Sequence, residues 1–269
     1  GLQPGRCAEL WNIDRQEDVA EIHKEYFEAG CDMVITNTFG GSRFKLKKFN
    51  QETLVVKLNQ AGAKLARDAA AEFPHRYVLG DIGPTGEFLQ PVGELTYDEL
   101  YSAFKEQAIA LVAGGVDAII IETMSAIEEA VCAVKAAKEN THVPVFATMT
   151  FNPTGTQGFR TMMGISPQQA AEQLDAAGAD IIGTNCGGVR VEQVAEIIRE
   201  MRRYTKKPLI AEPNAGLPKL VDGKTVYDES PEYLASLAAE LVKAGASIIG
   251  GCCGTTPAHL KAIAKAIKK

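Results

Sequence analysis

The sequence predicts an α/β protein built as a (β/α)8 TIM barrel with one strand missing from the chain, and three observations carry that reading. Helical patterns repeatedly end in a glycine followed at once by an apolar run, at Ala29-Gly30-Cys31-Asp32, Gly114-Gly115-Val116-Asp117, Ala177-Gly178-Ala179-Asp180 and Ala244-Gly245-Ala246-Ser247. Such a glycine ends a helix in the left-handed conformation, and the alternation of helix, stop and strand builds βα units on a parallel sheet. The strand candidates 33–39, 77–82, 118–122, 143–151, 181–185, 208–212 and 247–250 are mostly apolar throughout, as strands covered on both faces are. Polar, glycine-rich segments come after the strands at 37–42, 81–94, 152–165, 186–189, 213–228 and 252–255. An open doubly wound sheet is the alternative. In a barrel, however, all these loops share the C-terminal rim where barrel active sites lie, which favours the barrel.

The helices between the strands have legible start signals. Asp14 with Glu17, Thr96 with Glu99 and Ser166 with Gln169 have capping-box spacing, and Pro167, Pro231 and Pro257 stand at first helical positions. No linker or low-complexity stretch interrupts the pattern, so a single domain over residues 1–269 is expected. The long segments after Asp81 and Asn152 are placed to cover a pocket.

Composition narrows the function classes. A net charge of −6 argues against a broad nucleic-acid or anionic-membrane surface. The short cluster Lys45, Lys47, Lys48, set between Phe44 and Phe49, reads as a solvated helix edge. No apolar run approaches membrane-spanning length, and the N-terminus lacks a signal-peptide pattern. Six cysteines are too few for a disulfide scaffold in a chain this long. They are expected to be thiols or metal ligands in a reducing compartment, with the cytoplasm as the expected location.

Three of those cysteines fall at strand ends. Cys186 comes directly after the run 181–185 and precedes Gly187-Gly188; Cys252 and Cys253 come after Ile248-Ile249-Gly250-Gly251 and precede Gly254. Adjacent residues of an extended strand point to opposite faces, but the flanking glycines let the backbone leave the strand so that both sulfurs turn to one point. With the third sulfur this makes a thiolate site suited to a soft metal such as zinc, with one coordination position open. Three protein ligands and an exchangeable fourth mark catalytic zinc, and a thiol bound there loses its proton near neutral pH. A redox pair is the next alternative, although Cys-x-x-Cys spacing is absent. A phosphate-binding turn at 250–257 is another, opposed by the thiolates and by the lack of Lys or Arg in the turn. Cys31 and Cys132 read as small buried apolar residues, and Cys7 carries no signal.

At these residues the chain resembles the homocysteine S-methyltransferase family, through Gly183-Thr184-Asn185-Cys186-Gly187 and Gly250-Gly251-Cys252-Cys253-Gly254-Thr255-Thr256-Pro257. Within it the homocysteine-binding domain of cobalamin-dependent methionine synthases is most similar. That likeness runs through Pro213-Asn214-Ala215-Gly216-Leu217-Pro218 with Tyr227-Asp228, supported by Gly80-Asp81-Ile82-Gly83-Pro84-Thr85-Gly86 and Thr36-Asn37-Thr38-Phe39-Gly40. The resemblance implies a (β/α)8 barrel with Cys186, Cys252 and Cys253 as zinc ligands. It also places Asn214 beside the metal when substrate is absent and has Glu122 bind the substrate amino group. Asp81 and Asn185 are candidates for polarity or positioning in the pocket. The family opens with a strand of the type Asp-Gly-Ala-Met-Gly-Thr, whereas this chain begins with Gly1-Leu2-Gln3-Pro4-Gly5, which corresponds to the family's segment just after that strand. A sequence cut short is the expected explanation, because an unfilled gap exposes backbone groups on two strands.

The implied activity is methylation of homocysteine to methionine. Its implied donor is methylcobalamin or another methyl-corrinoid, carried by a partner protein or a further module. S-methylmethionine or betaine as donor, another small thiol as acceptor, and a non-catalytic zinc-binding barrel subunit are the alternatives.

Overall fold

A computed structural model describes residues 2–3, 5–155 and 158–268. Seven parallel strands form one curled sheet in sequence order: β1 (Met33–Ile35), β2 (Tyr77–Ile82), β3 (Ala118–Met124), β4 (Val145–Met149), β5 (Ile181–Asn185), β6 (Leu209–Glu212) and β7 (Ala246–Ile249). This is the barrel-type fold that the sequence predicts. The main helices alternate with the strands. Helix α1 (Gln16–Glu28) precedes β1, and each strand then leads in turn to α2 (Val55–Ala70), α3 (Tyr97–Ala113), α4 (Ile127–Asn140), α5 (Pro167–Ala176), α6 (Val191–Met201), α7 (Pro231–Ala244) and α8 (Pro257–Ile267).

The four glycine stops behave as read from the sequence. Gly30, Gly115, Gly178 and Gly245 all have positive φ, between +94° and +111°, and a strand starts within three residues of each. Thr96–Glu99 and Ser166–Gln169 form complete capping boxes, and α5, α7 and α8 each open on a proline. The Asp14–Glu17 cap does not form. Asp14 ends a short helix, Trp11–Asp14, and Arg15 precedes α1 without a side-chain cap. Arg15 instead pairs with Asp18, at 2.6 Å.

Two apolar layers account for the continuous hydrophobic strands. Val78, Ile119, Ile121, Val145, Ala147, Ile182 and Leu209 face the helices and join the large core. Leu79, Ala118, Ile120, Phe146 and Ile210 point the other way and fill the barrel interior, with Met33, Ile181 and Ile248 against them. Alternation then sets what lies one step higher along each strand. Asp81 is two residues beyond Leu79, Glu122 two beyond Ile120, Thr148 two beyond Phe146, and Glu212 two beyond Ile210. An apolar floor thus carries a polar storey at the C-terminal strand ends.

The sheet curls without closing. Among the described residues neither β1 nor β7 has a sheet partner on its outer edge. Two cavities lie along this seam, of about 640 and 200 Å³, lined by Met33–Ile35 on one side and Gly250 on the other. The gap lies beside β1, where the family resemblance expects a further strand. Among the described residues no helix is long and apolar enough to cross a membrane.

Candidate active site at the C-terminal rim

The loops after β5 and β7 bring three sulfurs together. Cys186 Sγ lies 3.8 Å from Cys253 Sγ, and Cys252 Sγ lies 4.0 Å from Cys253 Sγ. All three sulfurs are within 4.8 Å of one another. Two sulfurs bound to one zinc at about 2.3 Å in tetrahedral geometry stand about 3.8 Å apart, so the spacing fits that metal. The donor set fits it as well, since soft thiolates suit zinc. Mutual hydrogen bonding splits the thiols. Cys253, which accepts from Cys186 and Cys252, is held well below the ordinary thiol range, and Cys252 is pushed far above it.

Local backbone explains how the sulfurs converge. The left-handed turn falls on Cys186 itself, at φ +55°, with Gly187 next at +78°. A Cβ on Gly187 would stand 2.3 Å from the Phe151 carbonyl oxygen, so only glycine lets this loop lie against β4's end. The loop of Cys252 is tied to β6: Cys252 N donates to Pro213 O at 2.9 Å and Ala215 N donates to Cys253 O at 2.9 Å. Asn214 joins the two loops. Its Nδ2 donates to Gly187 O at 3.2 Å, and its Oδ1 accepts from Cys253 N at 3.1 Å.

Asn185 ends β5 and reaches three neighbours. Its Oδ1 accepts from Thr123 N at 3.0 Å and Thr148 Oγ1 at 2.8 Å. Its Nδ2 donates to Thr123 Oγ1 at 2.7 Å and lies 3.6 Å from Cys252 Sγ. Thr123 comes directly after Glu122 and has φ +62°, an uncommon conformation for a β-branched residue, at an irregularity in the β3–β4 register.

Beside Cys252 the larger cavity is walled by Asp81, Glu122 and Glu212. All three are buried. Burial first, then the charge of Cys253, raises the Glu122 carboxyl to about 7. Burial and the charge of Glu122 hold Glu212 well above its usual range; burial, Glu122 and Glu212 do the same for Asp81. The Asp81 backbone is held by Thr36 and Thr38, with Asp81 N donating to Thr36 Oγ1 at 2.9 Å and Thr38 Oγ1 donating to Asp81 O at 2.7 Å. Its carboxylate is left facing the cavity.

The rim thus gathers every residue singled out from the sequence: Cys186, Cys252 and Cys253 in one cluster, Asn185 and Asn214 bracing it, and Glu122 and Asp81 in the adjoining cavity. Cys132 is buried and Cys31 half-buried, away from the cluster. The segment 152–165 forms a short hairpin, Asn152–Pro153 with Phe159–Arg160, and Thr156 and Gln157 lie outside the described residues. One neighbour escaped sequence reasoning: Glu212, signalled by its place two beyond Ile210. Tyr227, whose ring a Cβ on Gly254 would strike at 2.3 Å, entered the sequence reading only as part of the family likeness, with no role attached.

A parallel barrel-type sheet with a three-thiol cluster on its C-terminal rim and buried carboxylates beside it defines a class, the α/β barrel proteins whose strand-end cysteines could hold a metal ion. The chain belongs to the homocysteine S-methyltransferase family, a family of methyltransferases, whose model matches residues 2–267. Curated relatives include a methionine synthase of Mycobacterium tuberculosis, 36% identical over 271 residues, and one of Mycobacterium leprae, 34% identical over 273. The chain is covered to 97% and 98% in these matches and spans 22% of the length of either relative. The fold is shared with the homocysteine methyltransferase MmuM of Escherichia coli. Its apo form matches with a TM-score of 0.76 at 21% identity, covering 97% of this chain and 90% of that one. Its metallated form matches with a TM-score of 0.77 at 21% identity, covering 98% and 90%.

Proposed function

We propose that this chain methylates homocysteine to methionine, with Cys186, Cys252 and Cys253 holding a zinc ion and a protein-borne methyl-corrinoid as donor. The sulfur spacing carries the reading: 3.8 and 4.0 Å between three cysteines drawn from two strand ends. Zinc bound there supplies Lewis acidity that favours the thiolate form of a substrate thiol near neutral pH. The residues of this chain do the rest. Asn214 keeps the two cysteine loops together, and Asn185 supports Cys252 and the turn after Glu122. Glu122, with Asp81 nearby, receives the ammonium group of the amino acid. The new bond forms between the substrate sulfur and the methyl carbon, and the bond to the donor breaks with its electron pair left on the donor.

The relatives named methionine synthase, with identities of 36% and 34%, support methionine as the product, while the corrinoid donor rests on the resemblance carried by Pro213-Asn214-Ala215-Gly216-Leu217-Pro218. A single barrel domain across residues 1–269 is part of the same proposal.

The test is methionine formation from homocysteine with free methylcobalamin, S-methylmethionine or betaine in separate arms. Methionine is expected with methylcobalamin alone and only in zinc-loaded protein. Product from either other donor reassigns the donor. Zinc-loaded protein that neither binds homocysteine nor takes a proton from it contradicts the enzyme reading and leaves a zinc-holding subunit. A version preceded by a strand of the family's opening type is the control for amino-acid recognition.

A further inference from the structure

We infer that Glu212 is a second carboxylate for the substrate's ammonium group, so that the cavity selects thiols that carry an amine over thiols that lack one. The inference rests on the homocysteine reading and deepens it.

Three features of the cavity point this way. Glu212 ends β6, in register with Asn185 of β5, and alternation from Ile210 turns it to the inside of the barrel. Gly250 makes room for it, since a Cβ there would stand 3.1 Å from the Glu212 side chain. Its Oε2 is buried and has no hydrogen-bond partner among the described residues, and Oδ1 of Asp81 is in the same condition. Taking a carboxylate oxygen out of water without a partner costs several kcal/mol or neutralises the group, so a cation delivered by a ligand resolves the arrangement.

Among the described residues the protein supplies no such cation. No lysine or arginine of theirs lines the cavity, which holds Asp81, Glu122 and Glu212 together with Cys252. His23, also on its wall, is kept neutral near pH 7 by burial. Nor do the carboxylates form a chelating metal site, for among the described residues only the cysteines come within 4.8 Å of one another as a set. An ammonium group fits better than a bare ion. It presents three N–H donors in different directions, so that Glu122 on β3 and Glu212 on β6 can each receive one. Glu122 and Glu212 reach the cavity from strands separated by β4 and β5, so a group held by both is fixed in direction as well as place.

The experiment compares two thiols on zinc-loaded protein by calorimetric titration: homocysteine and 4-mercaptobutanoate, the same thiol acid without the amine. Wild type is expected to prefer homocysteine. Glu212→Gln is expected to weaken homocysteine binding about tenfold or more, the worth of one hydrogen bond to a charged group, while 4-mercaptobutanoate stays within about twofold. Zinc content should not change. Equal losses for both thiols, or no loss for homocysteine, overturns the inference. Wild-type protein that binds neither thiol overturns the homocysteine reading itself, a different result from either of these. Should Gln at 212 not give folded protein, Glu212→Asp keeps the charge but withdraws it by one methylene, and a loss confined to homocysteine is again the expected result.

Discussion

The side-chain amide of Asn185 grips Thr123 at both ends, accepting from its backbone N at 3.0 Å and donating to its hydroxyl at 2.7 Å. Thr123 holds a left-handed backbone at φ +62° immediately after Glu122, and Asn185 also lies 3.6 Å from the Cys252 sulfur. One residue therefore couples the carboxylate wall of the cavity to the thiol cluster. Left-handed backbone at a β-branched residue costs on the order of 1–3 kcal/mol and persists only where neighbours impose it. Asn185→Ala removes the imposition and leaves the part-buried Thr123 N–H and the buried Thr148 hydroxyl without this partner. Chemical denaturation should show a loss of about 2–4 kcal/mol, against which a change below about 0.5 would speak.

Asn214 makes a separate prediction, because its two hydrogen bonds run between the cysteine loops and not to a strand. Asn214→Ala should weaken zinc binding about 10- to 100-fold in competition with a chelator, as loss of a group orienting metal ligands does. Circular dichroism should stay unchanged. Undiminished zinc affinity would show that the loops hold their positions without the clamp.

Gly187 permits no side chain. With φ at +78° and a Cβ 2.3 Å from a backbone oxygen of Phe151, Gly187→Ala must move the loop that carries Cys186. The expected outcome is a folded protein with zinc content well below that of wild type. Its stability should fall by about 1–3 kcal/mol, the usual cost of forcing a residue into such a site. Full zinc occupancy in this variant would contradict the account of how Cys186 reaches the cluster.

His23 gives the acid limb of stability. Burial lowers its pKa from 6.5 to about 4, and its Nε2 has no partner among the described residues. Between those two values the unfolded chain takes up a proton that the native state refuses. Its contribution is therefore intact above pH 6.5 and is lost progressively as pH falls toward 4. At roughly 1.4 kcal/mol per pH unit the loss amounts to about 3 kcal/mol. His23→Leu should flatten the fall in unfolding free energy over this window relative to wild type. Parallel curves for the two proteins would remove His23 from the explanation.

Much of this arrangement was legible in the sequence because it depends on local signals. Glycine stops at 30, 115, 178 and 245 marked where strands begin, and a Cys-Cys pair among glycines announced a site before any contact was known. Glu122, an acid ending an apolar run, was picked out by the family resemblance. What stayed hidden depends on the meeting of distant segments. The clamp of Asn214 exists only because the loops after β5 and β7 flank β6. The left-handed turn at Cys186 gave no warning, since the sequence offers glycine one position later. Glu212 was missed although Ile210 and Glu212 repeat the spacing of Ile120 and Glu122, because the motif that carries the family resemblance begins one residue later, at Pro213. The Asp14 cap failed for a local reason: the preceding turn is itself helical, Trp11–Asp14, so no capping conformation is left for that residue.

The central claim is that three cysteines hold a zinc ion with a fourth position free for the substrate sulfur, and X-ray absorption at the zinc edge tests it most directly. Zinc-loaded protein should show three sulfur neighbours at about 2.3 Å and one lighter ligand, becoming four sulfurs when homocysteine is added. Four sulfurs before addition, or a shell that homocysteine leaves unchanged, would contradict it.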